Sequence, residues 1–505
     1  MQAGTTGIGA RLAERARRVA DRAWRSLAGP GRRAGCSLGP TACWLALLLL
    51  ITACSHPRFY AGPEQQLATD DHFAAQGHFA VYYPSEIALD FPGYVVGLEM
   101  TNRAVFPPDS DLLVEPLAHA GSTIARLTRR LLEGSPGPDA TTGEGQVPFI
   151  SHVIRYRGQP LGSGNCALYS VYQSPQPELT EFCDGVRRPR IGDWPHYQSA
   201  FADSWEAIDA LKEAVQRDAA SGDYSHLIVA MMGWRTTQEE AIRNFNSIVR
   251  SVHMAAHGAF RPLFIGITWV GPWASRWMDP LAEGVAYANM ADLADTLGLS
   301  WIGVLANEIV VPLSSRLATA FITHSFGARA ATTAVCIGPA IRRDPNKPLQ
   351  LKPGAIDRII GFQPAFSLQR FKDKQLIFFY EDIHFPNDCD RARSIVLTTS
   401  RHDTATRAIL WADLGGNYRY FRSFCRSNSG TIASCTSVDL NGNIEGDYDR
   451  SMKVLYLDAS ELIRYRAPGT DGAAHSDIFR LPAGRLIWQL ISQDLSVRGQ
   501  TVPPR

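Results

Sequence analysis

Hydrophobic and polar positions follow two different periods along the chain. Residues 78–83, 94–100 and 149–156 are short runs rich in β-branched and aromatic residues, which predict strands. Between them Ile124, Leu127, Leu131 and Leu132 recur at helical spacing within residues 119–133. Residues 134–146, full of Gly, Pro, Ser and Thr, read as a loop. From residue 225 the pattern becomes strand–helix alternation. Residues 227–232 are continuously apolar, as in a strand covered on both faces. Gly233-Trp234-Arg235 predicts a turn, and Thr237 with Glu240 makes a capping box that opens a helix to about 257. Strands follow at 263–270, 318–323, 359–362, 394–398 and 453–457, with helices at 282–297, 327–341 and 483–494. Such alternation predicts the α/β class: a mostly parallel sheet flanked by helices over residues 221–497, preceded by a β-rich N-terminal extension or subdomain over 81–220.

The first residues change the picture of where the chain resides. Eight Arg against Glu14 and Asp21 lie within residues 11–33, and an apolar run of about ten residues follows at 42–51. That run is too short to span a bilayer comfortably, and together these features read as a secretory signal over 1–53. Ile51-Thr52-Ala53-Cys54 resembles a bacterial lipobox, which implies a lipidated Cys54 at the mature N-terminus, a tether over 54–80, and a membrane as partner. The expected location is the cell envelope, on the periplasmic side of the outer membrane. An ordinary signal peptide or an uncleaved anchor is the competing reading of the same residues.

Charge and cysteine content narrow the classes further. The formal net charge of +1 includes +6 from residues 1–53, which leaves about −5 for the remainder. A mildly acidic chain without a basic stripe argues against a nucleic-acid partner. Beyond Cys54 six cysteines remain, an even number suited to an oxidising compartment. Cys166–Cys183 and Cys425–Cys435 are the natural local pairs and leave Cys336 with Cys389, although sequence fixes no pairing. No Cys/His ligand cluster points to a metal, and no cofactor is expected. Asp439, Asn441 and Asn443 begin like a calcium loop, but Ile444 and Arg450 stand where that loop needs Gly and Glu.

The chemistry concentrates at Thr323-His324-Ser325-Phe326-Gly327, between a predicted strand and a predicted helix. A nucleophile elbow, G-x-S-x-G, belongs at that junction, because a sharp strained turn lifts the Ser hydroxyl clear of the sheet. Gly327 meets the demand for a small residue two positions after Ser325, whereas Thr323 departs from it two positions before. Later strands supply partners in the expected order. Asp403 follows the strand ending at Thr398, and His475 follows the strand ending at Leu457. His475 would take the Ser325 proton, and Asp403 would orient the imidazole. Asp458 and Asp477 are rival acids, ranked lower because they stand close to His475 in sequence. Backbone N–H groups of Phe326 and Trp234 would form an oxyanion hole, with Gly233 allowing close approach. Trp269, Trp273 and Trp277 would line an acyl pocket or pack against the N-terminal region.

The Thr-His-Ser-Phe-Gly-Ala-Arg-Ala string, the Gly-Trp turn and the terminal Ala-His-Ser-Asp-Ile-Phe resemble serine-hydrolase branches of the α/β-hydrolase superfamily over residues 225–495. The resemblance implies an α/β-hydrolase fold and a serine-hydrolase catalytic type and is silent on substrate; the leading expectation is an acyl-enzyme esterase or lipase acting on a small-molecule ester, lipid-like if the membrane anchor is a guide, with an amidase open to the same triad. The competing function is a catalytically weak or inactive hydrolase-fold protein that binds or scaffolds in the envelope, a reading that Thr323 favours.

Overall fold

The computed structural model describes residues 88–101, 120–133, 147–158, 164–170, 182–184, 200–234, 236, 238–269, 279–343, 353–372, 383–408, 413–428, 430–465 and 474–497. The expected strand at 78–83 lies outside them, as do Cys54, Trp273 and Trp277.

In chain order the elements are β1 (Pro92–Thr101), α1 (Ser122–Glu133), β2 (Val147–Arg157), β3 (Cys166–Ser170), α2 (Ala200–Ala220), β4 (His226–Met231), α3 (Gln238–Ala255), β5 (Pro262–Trp269) and α4 (Asp279–Leu299). They continue with α5 (Trp301–Leu305), β6 (Ala318–His324), α6 (Phe326–Cys336), β7 (Ile356–Phe362), β8 (Ala392–Thr399), α7 (Tyr418–Asn428), β9 (Ala433–Val438), β10 (Ile444–Glu445), β11 (Val454–Asp458) and α8 (Leu481–Val497). The strands form one sheet in the order β10-β9-β11-β8-β7-β6-β4-β5-β1-β2-β3. Pairing is parallel from β9 to β1 and antiparallel only at the two margins, β10 on β9 and β1-β2-β3.

Burial follows from the sequence pattern. Every residue of β4, β6 and β7 is buried, as continuous apolar runs in a doubly covered parallel sheet require. Alternate residues feed opposite cores. Leu227, Val229 and Met231 join the core that α1, α2, α4, α5, α6 and α7 cover, while Ile228 and Ala230 join the one that α3 and α8 cover. The segment from β1 to β3 extends this same sheet, since β1 runs parallel beside β5 with Gly93 opposite Phe264 and Leu98 opposite Trp269. The N-terminal region also holds α2, a 21-residue helix that buries Phe201, Ile208, Leu211 and Val215. The helical run Tyr287–Leu313 is apolar and long enough to cross a membrane, but it is a core helix here, with 78% of its most apolar window buried.

Three disulfides join Cys166–Cys183, Cys336–Cys389 and Cys425–Cys435. Cys336 closes the C-terminal end of α6, so the second of these ties that helix to the loop before β8.

Sheet order locates the functional end of the molecule. After β4 the chain lays β5 on one side and then returns to lay β6 on the other. A crevice opens outside the carboxyl ends of strands at such a switch point. The end of β4 leads to Gly233-Trp234, and the end of β6 leads to Ser325. Helix α6 lies close to α4 because Gly298 has no side chain: a Cβ there would stand 2.5 Å from the Ala330 carbonyl oxygen. Gly298→Val is expected to lower stability by about 1–3 kcal/mol through overpacking, read as a fall in the thermal midpoint; an unchanged midpoint would refute the tight crossing.

Candidate functional site

Ser325 is the single residue between β6 and α6, with φ 55° and ψ −122°. A non-glycine residue with such a positive φ is strained and persists only where its surroundings over-determine it. They do so here. The Ser325 N–H donates to the Phe362 carbonyl at 2.9 Å, and the Ser325 carbonyl accepts from Ala365 N–H at 3.2 Å and Ala328 N–H at 3.1 Å. Two glycines make the turn sterically possible. A Cβ on Gly327 would lie 2.6 Å from the Met231 and Met232 carbonyl oxygens, and one on Gly233 would lie 2.7 Å from Ser325 Cβ and 3.2 Å from Ser325 Oγ. Thr323, the departure from the expected small residue, is buried and donates its Oγ1 hydrogen to the Ile360 carbonyl at 3.0 Å. Its bulk therefore meets the neighbouring strand β7 with its polar group satisfied.

Asp403 and His475 come together across 72 residues. His475 Nδ1 lies 2.9 Å from Asp403 Oδ2, with the carboxylate fully buried. Asp403 is itself held from three directions. Its Oδ1 accepts from Ala405 N–H at 2.9 Å and Thr406 N–H at 3.2 Å, and its Oδ2 accepts from Thr406 Oγ1 at 2.8 Å. An ionised carboxylate only accepts, so the pairing places the imidazole proton on Nδ1 and leaves Nε2 as the basic nitrogen. The rival acids are engaged elsewhere. Asp458 accepts from Ser460 N–H and its hydroxyl, while Asp477 accepts from Arg464 and Tyr465 N–H groups and pairs with Arg480.

His475 reaches the elbow beside Ser325. The His324 and His475 ring centroids are 4.5 Å apart, and His324 Nε2 lies 2.9 Å from the His475 carbonyl oxygen. Among the described residues no hydrogen bond joins Ser325 Oγ to His475. Burial above all, with His475 alongside, holds the His324 ring well below its ordinary value of 6.5, so it stays neutral, although its bond to the His475 carbonyl opposes that shift.

Phe326 N–H is the first donor of α6 and, like the opening donors of any helix, has no carbonyl of its own helix to meet. Trp234 stands at the turn after β4, its indole edge-on to the Phe326 ring at 6.2 Å. The end of β4 is fixed by Trp269, whose Nε1 donates to the Met232 carbonyl at 2.9 Å. That bond gives Trp269 a structural partner inside the fold. The opening of the calcium-like segment is an Asx turn, with Asp439 accepting from Asn441 and Asn443 N–H groups.

Sequence reasoning missed the ionic cluster beneath the elbow. Asp295 of α4 accepts from Arg329 Nη2 at 2.7 Å, Arg370 Nη1 at 3.1 Å and Thr333 Oγ1 at 2.7 Å, all buried. Arg329 also donates to the Ala365 carbonyl at 3.2 Å, as does the Tyr287 hydroxyl at 3.2 Å. Ala365 is the residue whose N–H meets Ser325. One signal was available: Arg329 and Thr333 are polar residues four apart on a helix that is mostly small and apolar and fully buried. Burial alone would raise the Asp295 carboxyl, but the two guanidiniums hold it below the usual carboxylate range.

Replacing Asp295 strands two buried cations, so Asp295→Asn is expected to lose about 3–5 kcal/mol at neutral pH. A carboxyl depressed on folding contributes stability that is present above about pH 4 and lost as pH falls through its folded value. The deficit of the variant should therefore narrow at acidic pH. Urea midpoints at pH 7 and pH 3 test this, and a deficit constant with pH would contradict the charge argument.

No family model, no curated protein and no solved structure matches this chain.

Proposed function

We propose that this protein is a serine hydrolase of α/β-hydrolase fold that cleaves carboxylic esters through an acyl-enzyme. The observation that carries the reading is the buried Asp403–His475 pair, delivered to the side of a strained Ser325 at the sheet's switch point. The tight turn at Ser325 sets it at the N-terminus of α6, and lifting a hydroxyl above a helix N-terminus is what an attacking oxygen needs.

In the proposed reaction His475 Nε2 removes the Ser325 proton as Oγ attacks the ester carbonyl. Asp403 keeps Nδ1 protonated and stabilises the imidazolium. Phe326 and Trp234 N–H groups receive the developing oxyanion. His475 then returns its proton to the leaving alcohol, and water activated by the same nitrogen releases the acid. Hydrogen bonds between nucleophile and base are commonly long before substrate binds, so the open Ser325–His475 contact is compatible with this sequence. The residues supply nucleophile, base and oxyanion donors themselves, so the chemistry calls for no cofactor.

The test is hydrolysis of p-nitrophenyl acyl esters of increasing chain length. Turnover should fall by roughly a millionfold in Ser325→Ala and in His475→Ala, by analogy with single triad losses. Ester turnover that survives Ser325→Ala would refute the proposal. A folded protein that neither turns over esters nor takes up a fluorophosphonate probe would favour the binding or scaffold reading.

We also propose that Cys54 carries acyl chains and tethers the enzyme to the bacterial envelope, where lipid-like esters are at hand. Each buried CH₂ contributes roughly 0.8 kcal/mol, so several chains hold firmly. Partition into the detergent phase should be lost in Cys54→Ala; a variant that still partitions would remove the lipid anchor from the proposal.

A further inference from the structure

His324 precedes the candidate nucleophile and has no place in the triad, yet it touches both the main chain and the ring of His475. It is 6% exposed and ends β6. Its Nε2 lies 2.9 Å from the His475 carbonyl oxygen. A carbonyl only accepts, so Nε2 carries the proton and donates it. Its ring lies against the His475 ring, with centroids 4.5 Å apart and planes inclined by 53°. On its other side His324 faces the Gly233 turn, where a Cβ would stand 3.4 Å from Nδ1. One side chain thus touches the turn after β4 and both the main chain and the ring of His475.

His475 needs such a hold. Its own imidazole is tied at Nδ1 to Asp403, which fixes tautomer and tilt. The main chain around it, residues 474–480, holds no helix or strand and is tied on either side of His475, with Ala474 N–H donating to the His402 carbonyl at 3.3 Å, Ser251 Oγ to the Phe479 carbonyl at 3.0 Å, and Arg464 and Tyr465 N–H groups to the Asp477 carboxylate, while the His475 carbonyl itself accepts from His324. The His324 bond reaches this loop from the end of β6, directly before Ser325. Because β6 runs from His324 straight into Ser325, whatever sets the position of Ser325 also sets the donor that holds its base.

We infer that His324 is a positioning residue for His475: through its Nε2–H bond to the His475 carbonyl and its ring contact, it sets the distance of the basic nitrogen from Ser325 Oγ. The inference rests on the serine-hydrolase reading. Among the described residues the titratable group against it is His475, whose ring is in turn bonded to Asp403. A neutral His324 performs this role without adding a second positive charge beside the imidazolium that forms on His475.

The test uses a pair of side chains that differ in reach. A Gln amide nitrogen at 324 can occupy the place of Nε2, whereas an Asn amide nitrogen falls short of it. The second-order rate of Ser325 labelling by a fluorophosphonate is measured for the full chain and for His324→Gln, His324→Asn and His324→Leu, with a thermal midpoint for each. Misplacing the base by about 1 Å is expected to slow labelling by roughly tenfold to a hundredfold in the Asn and Leu variants. The Gln variant should recover most of the rate. A merely structural histidine would not separate Gln from Asn at matched thermal midpoints. If the Leu variant unfolds, the Gln–Asn contrast still decides. Asn labelling as fast as the parent, or Gln as slow as Asn, overturns this inference while leaving the hydrolase reading intact, provided the parent labels and Ser325→Ala does not. A parent chain that takes no label overturns both.

Discussion

The buried carboxylate of Asp295 is the constraint around which the elbow is assembled. It gathers Arg329 and Thr333 from α6, Arg370 from the loop after β7, and its own helix α4. Two guanidiniums and one carboxylate out of water are tolerable only while they remain together, because an ion stranded in a low-dielectric interior is strongly unfavourable. The cluster thus fixes the helix that starts at Ser325 relative to the loop that Ser325 leans on. Arg329 closes the circuit by donating to the Ala365 carbonyl, and the N–H of Ala365 donates to the Ser325 carbonyl. Apolar packing could hold α4 against α6, but it lacks the directionality that keeps a residue at φ 55° in register.

Around that cluster the sheet does the coarse positioning. Parallel strands deliver every βα connection to one edge, and the reversal of order at β4 brings the ends of the paired strands β4 and β6 together at the switch point. Gly233 and Gly327, lacking side chains, let the two ends approach this closely. The next two strands outward, β7 and β8, bring the loop that receives Ser325 and then the turn that carries Asp403. Beyond them β11 leads towards His475. The site is consequently narrow in space and wide in sequence, spanning Gly233 to His475.

Much of the sheet was legible because its central strands are covered on both faces. Continuous apolar runs at 227–232, 318–323 and 359–362 leave little choice but a buried strand, and the structure places β4, β6 and β7 there within a residue or so, apart from an earlier start for β7. The marginal elements were harder to read. Strand β9, Ala-Ser-Cys-Thr-Ser-Val, is too polar to announce itself, since a strand near the sheet edge can leave residues half in water. Helix α7 alternates aromatic and Arg residues, and its buried Tyr420 and Phe424 show a helical period only when the rest is taken as solvated. Helix α2 carries an apolar face at Phe201, Ile208, Leu211 and Val215 within a region where aromatic and β-branched composition spoke for strands.

At the site, sequence by itself determined the junction. A buried strand running directly into a small-residue helix, with Ser325 between and Gly327 two residues on, dictates a tight turn, because no loop residues remain to make a wide one. Sequence also set the order in which Ser325, Asp403 and His475 could meet, and an even complement of six cysteines beyond Cys54. The tertiary structure decided what depends on contacts between distant residues. It paired Asp403 with His475 and turned Asp458 and Asp477 to local hydrogen bonds. It seated Thr323 against Ile360, where a β-branched side chain had looked too large for the elbow. It drew Asp295, Arg329 and Arg370 into one buried charge cluster and laid His324 against His475. Local pattern encodes period, caps and turns, since those arise within a few residues. The partner of a buried charge or of an imidazole is set by strand order, which no local pattern carries.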